Sequence, residues 1–127
     1  MLSAVTRARR AVVGVAVAAV AGLAQAPFAR AGDTPRYDVP AGYVKCPEAT
    51  AWNGFFKWAS VRSTTCRHAS RFMRAYGDRA QETGDMPRRL DGFRCRIRYW
   101  RNADGDVYAS RHACARRRAV IRFYGMV

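Results

Sequence analysis

His68 and His112 are the only histidines in the chain, and Glu48 is one of two glutamates; these are its best candidates for moving protons near neutral pH. Two histidines, or a histidine with a glutamate, set beside arginines that hold a phosphate would make a small ribonuclease, with His112 paired to His68 or Glu48. No G-x-S-x-G, H-E-x-x-H or P-loop pattern occurs, so other hydrolase, metalloprotease and nucleotide-binding chemistry has no motif behind it. A second chemistry belongs to Arg94, Arg96 and Arg98, which alternate toward Trp100. A guanidinium grips phosphate and also stacks on an aromatic ring, so this row suits anion binding.

Two other stretches invite a reading. Asn102, Asp104 and Asp106 alternate as in a calcium loop, but no further ligands and no closing glutamate follow, and Asp104-Gly105 already serves as a two-residue hairpin turn. Met86-Pro87-Arg88-Arg89 has the composition of a protease inhibitor's bait. It sits in a long segment punctuated by Gly84 and Gly92, which would not hold a bait rigid.

The elements that must carry these residues follow from periodicity. Phe93 to Trp100 alternates strictly, with Phe93, Cys95, Ile97 and Tyr99 on one side and arginines on the other, so it is a strand with one buried face. If Asp104-Gly105 sets the hairpin register, Cys95 faces Cys114, Ile97 faces His112, Tyr99 faces Ser110 and Arg98 faces Arg111. Opposed residues lie within disulfide reach, which pairs Cys95 with Cys114 and leaves Cys46 with Cys66 by elimination. The outer side then carries Arg94, Arg96, Arg98, Arg111 and an exposed Trp100. A one-sided sheet must turn a polar face to water. Placing Arg98 across from Arg111 adds like-charge repulsion, which argues for a ligand of opposite sign.

Ser63 to Gly77 reads as an amphipathic helix, capped by Ser63, Thr64 or Thr65 and closed by Gly77. Cys66, Ala69, Phe72, Met73 and Tyr76 share one stripe; Arg67, Arg71 and Arg74 form a cationic ridge opposite, with His68 at the boundary. Phe55 to Val61 and Arg118 to Tyr124 read as further strands, with Tyr43 to Cys46 as a first ordered piece and 77–92 as a loop. The expected fold is α+β: one helix packed on a small antiparallel sheet, with two disulfides.

The start of the chain is a different kind of segment. Arg7, Arg9 and Arg10 precede an apolar run from Ala11 to Ala24, and Ala29-Arg30-Ala31 offers a cleavage site, which together read as a secretory signal peptide over 1–31. The run is too short for a bilayer that needs about 20 apolar residues. Ala24-Gln25-Ala26 is a second site, disfavoured by Pro27 just after it. Cleavage after Ala31 leaves 96 of the 127 residues, a flexible leader over 32–42 and one domain over 43–127. The removed segment holds four arginines and no acid, so the net charge falls from +14 to +10. That excess predicts attraction to an anionic envelope polymer or an acidic protein, without specific nucleic-acid reading. Lys45 and Lys57 are the only lysines among 23 basic residues, and the arginine bias extends into the leader, so composition accounts for part of it. Export and an even cysteine count fit a disulfide framework; no C-x-x-C pair supports zinc, and no cofactor is implied.

Ser63, Cys66 and Ala69 in S-x-x-C-x-x-A, then Gly92-Phe93-x-Cys95, Cys114 and Arg122-Phe123-Tyr124-Gly125 form a set that resembles small exported actinobacterial proteins of no established function. The likeness runs from about Phe55 to Gly125. It implies an exported disulfide-bonded α+β fold and brings no catalytic or ligand residues with it.

Overall fold

The computed structural model describes residues 34–126, and Gly14 before them. The expected signal peptide and its cleavage site lie outside the described residues. Six antiparallel strands form one sheet: β1 (Val44–Cys46), β2 (Phe56–Arg62), β3 (Arg89–Leu90), β4 (Phe93–Arg101), β5 (Val107–Arg116) and β6 (Ala119–Met126), in the order β1-β2-β6-β5-β4-β3. A single helix, α1 (Cys66–Thr83), covers one face. Among the described residues no helix is long and apolar enough to cross a membrane.

Period-two alternation, shifted by one residue in β2 by a bulge between Lys57 and Ser60, decides what the helix covers. Phe56, Val61, Phe93, Cys95, His112, Cys114, Ile121 and Phe123 point to α1 and are buried against Ala69, Phe72, Met73 and Tyr76. Both disulfides form as the spacing predicts, Cys46 with Cys66 and Cys95 with Cys114. The first staples the start of α1 to β1, and the second lies between β4 and β5 under the helix.

The helix runs past the expected stop at Gly77 and closes at Gly84, which takes the left-handed conformation and donates its N–H to Ala80. Thr65 is the N-cap, its hydroxyl accepting from the His68 N–H. Gly77 lies buried inside the helix, where a Cβ would make ordinary contact with Trp52 and Phe56 at 3.4 Å, so it ends nothing.

The segment expected as a loop over 77–92 is therefore helix for its first half. Its remainder is also tied down. Pro87 is buried and its carbonyl accepts from Tyr76, Arg88 O accepts from the Cys95 N–H, and Arg89 pairs with Arg94 in β3. Only the Arg88 and Arg89 side chains stand out as expected of a bait.

The β4–β5 register is the one expected, Cys95 opposite Cys114 and Arg98 opposite Arg111, but two departures cancel to produce it. Around Asp104-Gly105 the pairing is Asn102 with Asp106, a three-residue loop closed by Gly105 at φ +85°. A bulge between Trp100 and Arg101 then restores the register. The true two-residue Asp-Gly turn is Asp91-Gly92, joining β3 to β4 with φ of 49° and 80°. Asn102 Oδ1 accepts the N–H groups of Asp104 and Asp106, which is turn chemistry and commits that oxygen to the backbone.

The leader, over the part described, has no regular structure, yet it is anchored. Tyr37 donates its hydroxyl to Ala59 O and stacks on Trp58 at 6.0 Å, with the Lys45 ammonium 4.8 Å from the Tyr37 ring.

Candidate functional site

The sequence singles out two sites, one on each face of the sheet. The first centres on His112. β5 directs it inward, where it is wholly buried and stacked on Phe123 at 4.9 Å. Its Nδ1 lies 2.8 Å from the Tyr76 hydroxyl and its Nε2 lies 2.8 Å from Ser110 Oγ. Tyr76 has one hydroxyl proton and gives it to Pro87 O at 2.9 Å. The tautomer follows: His112 donates from Nδ1 to Tyr76, and Ser110 donates to Nε2.

This chain of donors has the outline of a serine–histidine relay without its means. The third member is a neutral phenol that burial holds further above its usual range, so no negative charge waits to stabilise an imidazolium. Burial lowers His112 from 6.5 to about 4, keeping it uncharged. Ser110 borders a crevice of about 60 Å³ lined by apolar groups such as Phe55, Tyr99 and Tyr108, while its hydroxyl is spent inward. Neither partner proposed for His112 joins it. His68 packs edge-on to Phe93 and binds the Thr64 hydroxyl through Nδ1; Glu48 is exposed in the segment after β1. The network is a closed piece of core: every polar atom in it has a partner.

The second site is the sheet's other face, which no helix covers. Across the strands its rows read Arg62, Val120, Ala115 and Arg94; Ser60, Arg122, Ala113 and Arg96; Lys57, Tyr124, Arg111 and Arg98; then Met126, Ala109 and Trp100. None of the six strands contains Asp or Glu. Arg94, Arg96 and Arg98 are exposed and Arg111 is half-buried, so all four anion-binding candidates of the sequence stand on one surface.

Trp100 joins them in place but not in exposure. It is only 9% exposed, because guanidinium groups and a neighbouring ring close over it: Arg98 at 4.5 Å, Arg111 at 6.0 Å and Tyr124 at 6.2 Å. Tyr124 in turn packs edge-on to Trp58 at 5.8 Å and accepts from Arg122 at 2.7 Å. The rings underlie the cations, which ride on their faces.

Arg62, Arg122 and Lys57 belong to this surface and were not singled out by sequence, because β6 lies between β2 and β5 and alternation within one strand cannot show it. A signal for them existed: the strand segments hold no acid. The helix ridge of Arg67, Arg71 and Arg74 forms as expected, exposed, with Asp78 and Glu82 further along the same helix. Among the described residues no group of three or more His, Cys, Asp or Glu side chains is placed to hold a metal ion. No family model, no curated protein and no solved structure matches the chain.

Proposed function

We propose that this chain is an exported, non-enzymatic binding module that acts at or outside the cell envelope by holding an anionic polymer on the helix-free face of its sheet. The observation that carries this reading is the cationic outer face: Arg94, Arg96, Arg98, Arg111, Arg122 and Lys57 share one surface, and none of the six strands contains Asp or Glu. A solvated face with no ligand gains nothing from placing Arg89 against Arg94, since an opposed like-charge pair lowers stability. A bound polyanion reverses that sign and releases its own counterions on binding. Two disulfides support a destination where thiols oxidise. The resemblance to small exported actinobacterial proteins points to the same destination.

The test is affinity for polyanions against salt concentration. Replacing Arg96 and Arg98 with Ser weakens binding and flattens its salt dependence, while His112→Ala leaves the affinity of the folded fraction unchanged. Unaltered binding in the double variant contradicts the reading. An RNA-cleaving activity abolished by His112→Ala would replace it with a nuclease.

A further inference from the structure

The outer face is not flat. Between Arg94 and Arg96 of β4 on one side and Val120 and Arg122 of β6 on the other, β5 presents only methyl groups at two successive outer positions, Ala113 and Ala115. A trough of about 380 Å³ results, lined by Arg94, Arg96, Ala113, Ala115 and Val120. Arg94 also lines a second depression, of about 480 Å³, around the Asp91-Gly92 turn, so the trough opens toward that end of the sheet. Arg122 stands beside Ala113, and its Nε is buried with no hydrogen-bond partner among the described residues.

Three features of the trough select its occupant. Its walls are two ladder spacings apart, roughly 9.5 Å, which admits one polymer chain and excludes a duplex. Its polar lining is guanidinium alone, all donor and no acceptor. A neutral sugar chain held by its hydroxyls would need acceptors as well as donors, whereas a polyol phosphate is held by its phosphate oxygens, which ask only for donors, while its hydroxyls face water. Finally, the nearby rings are closed, Trp100 at 9% and Tyr124 at 3% exposure, so no platform is open for a base or a sugar to stack on.

Spacing agrees with this chemistry. Outer side chains along β4 recur about every 6.7 Å. Three backbone bonds of a polypeptide extend to about 3.5 Å, so a six-bond phosphodiester repeat extends to about 7 Å, one phosphate per outer arginine. We propose that the trough binds a single extended polyol-phosphate chain, laid along β5 over Ala113 and Ala115 with successive phosphates held by Arg94 and Arg96. This rests on the anion-binding reading and names its ligand class.

The experiment measures affinity for fluorescent poly(glycerol phosphate), heparin and oligo(dT) of matched charge, using wild type, Ala115→Phe and Arg94→Ser. Ala115 is exposed on its strand, so Phe there fills the trough without touching the core or the net charge. The expected result is tightest binding of poly(glycerol phosphate), lost at least tenfold in Ala115→Phe and in Arg94→Ser, with heparin changed less than twofold by Ala115→Phe. Equal affinity for all three polymers, unaffected by Ala115→Phe, overturns the trough and leaves the broader anion-binding reading standing. Tightest binding of oligo(dT) overturns it in favour of nucleic acid. Failure of every polymer to bind at low salt overturns both readings.

Discussion

The two faces of the sheet are made by the same strands and obey opposite rules. Toward α1 the rings of Phe56 and Tyr76 meet each other and those of His112 and Phe123 edge to face at 5.1 to 5.7 Å, and the polar atoms of Ser110, His112 and Tyr76 satisfy one another. Trp52 Nε1 is the exception, buried without a partner among the described residues. On the far side aromatic rings again pack together, but guanidinium groups cover them where the inner face has a helix. Like charges there repel and the Trp100 and Arg122 Nε donors go unanswered among the described residues. The inner face is closed by a helix; the outer one gathers like charge from strands that contain no Asp or Glu. The two faces therefore predict different responses to mutation.

The largest effects belong to the inner face. Phe123→Ala removes a fully buried ring stacked on His112 and costs about 3–5 kcal/mol in denaturant unfolding, with polyanion affinity of the folded protein unchanged. Acid produces the next largest effect. His112 is held at about 4 when folded and titrates near 6.5 when unfolded, so the unfolded state binds the extra proton between those values. Its contribution is complete above pH 6.5 and is lost as pH falls toward 4, amounting to roughly 3 kcal/mol. Unfolding midpoints from pH 7 to 4 check this, and a flat profile over that window contradicts the assigned neutral core histidine. Gly125→Ala comes third: a Cβ there would meet Ser110 Oγ and Phe55 Cε1, both at 2.7 Å, and the overpacking costs about 1–3 kcal/mol.

The outer face responds in the other direction and by less. Arg96→Glu places an acid among Arg94, Arg98 and Arg122, raising stability by about 0.2–1 kcal/mol while weakening polyanion binding. Opposite signs in stability and binding are the signature of a face kept cationic for a ligand. A stability loss in Arg96→Glu would assign that arginine a structural role.

What could be read from sequence follows the same division. Alternation within one strand fixes which side each residue faces, so Phe93, Cys95 with Cys114 and the helix stripe emerged, while Tyr99, expected on the buried face, is 40% exposed near the end of β4. The Cys95 register emerged for an incomplete reason, since a three-residue loop and a bulge together stand in for the simple Asp104-Gly105 turn. Gly77 misleads because a glycine inside a helix looks, in sequence, like one that ends it, and the stop lies seven residues on at Gly84. The exposure of Trp100 was illegible because Tyr124, from a strand two places away, helps cover it. The trough was illegible for a related reason: Ala113 and Ala115 are unremarkable until Arg94 and Arg96 of β4 and Val120 and Arg122 of β6 are placed on either side.

The outer face competes with one other cationic surface, the helix ridge of Arg67, Arg71 and Arg74. The deciding measurement is the salt dependence of poly(glycerol phosphate) affinity for Arg94→Ser/Arg96→Ser beside Arg67→Ser/Arg71→Ser/Arg74→Ser. Each phosphate contact on a single strand contributes about 0.7 to the slope of log K against log salt, so the sheet variant loses about 1.4 while the ridge variant keeps the wild-type slope. A larger loss from the ridge variant, which removes more charge, would show that net charge alone draws the polymer and that the sheet face is not its site.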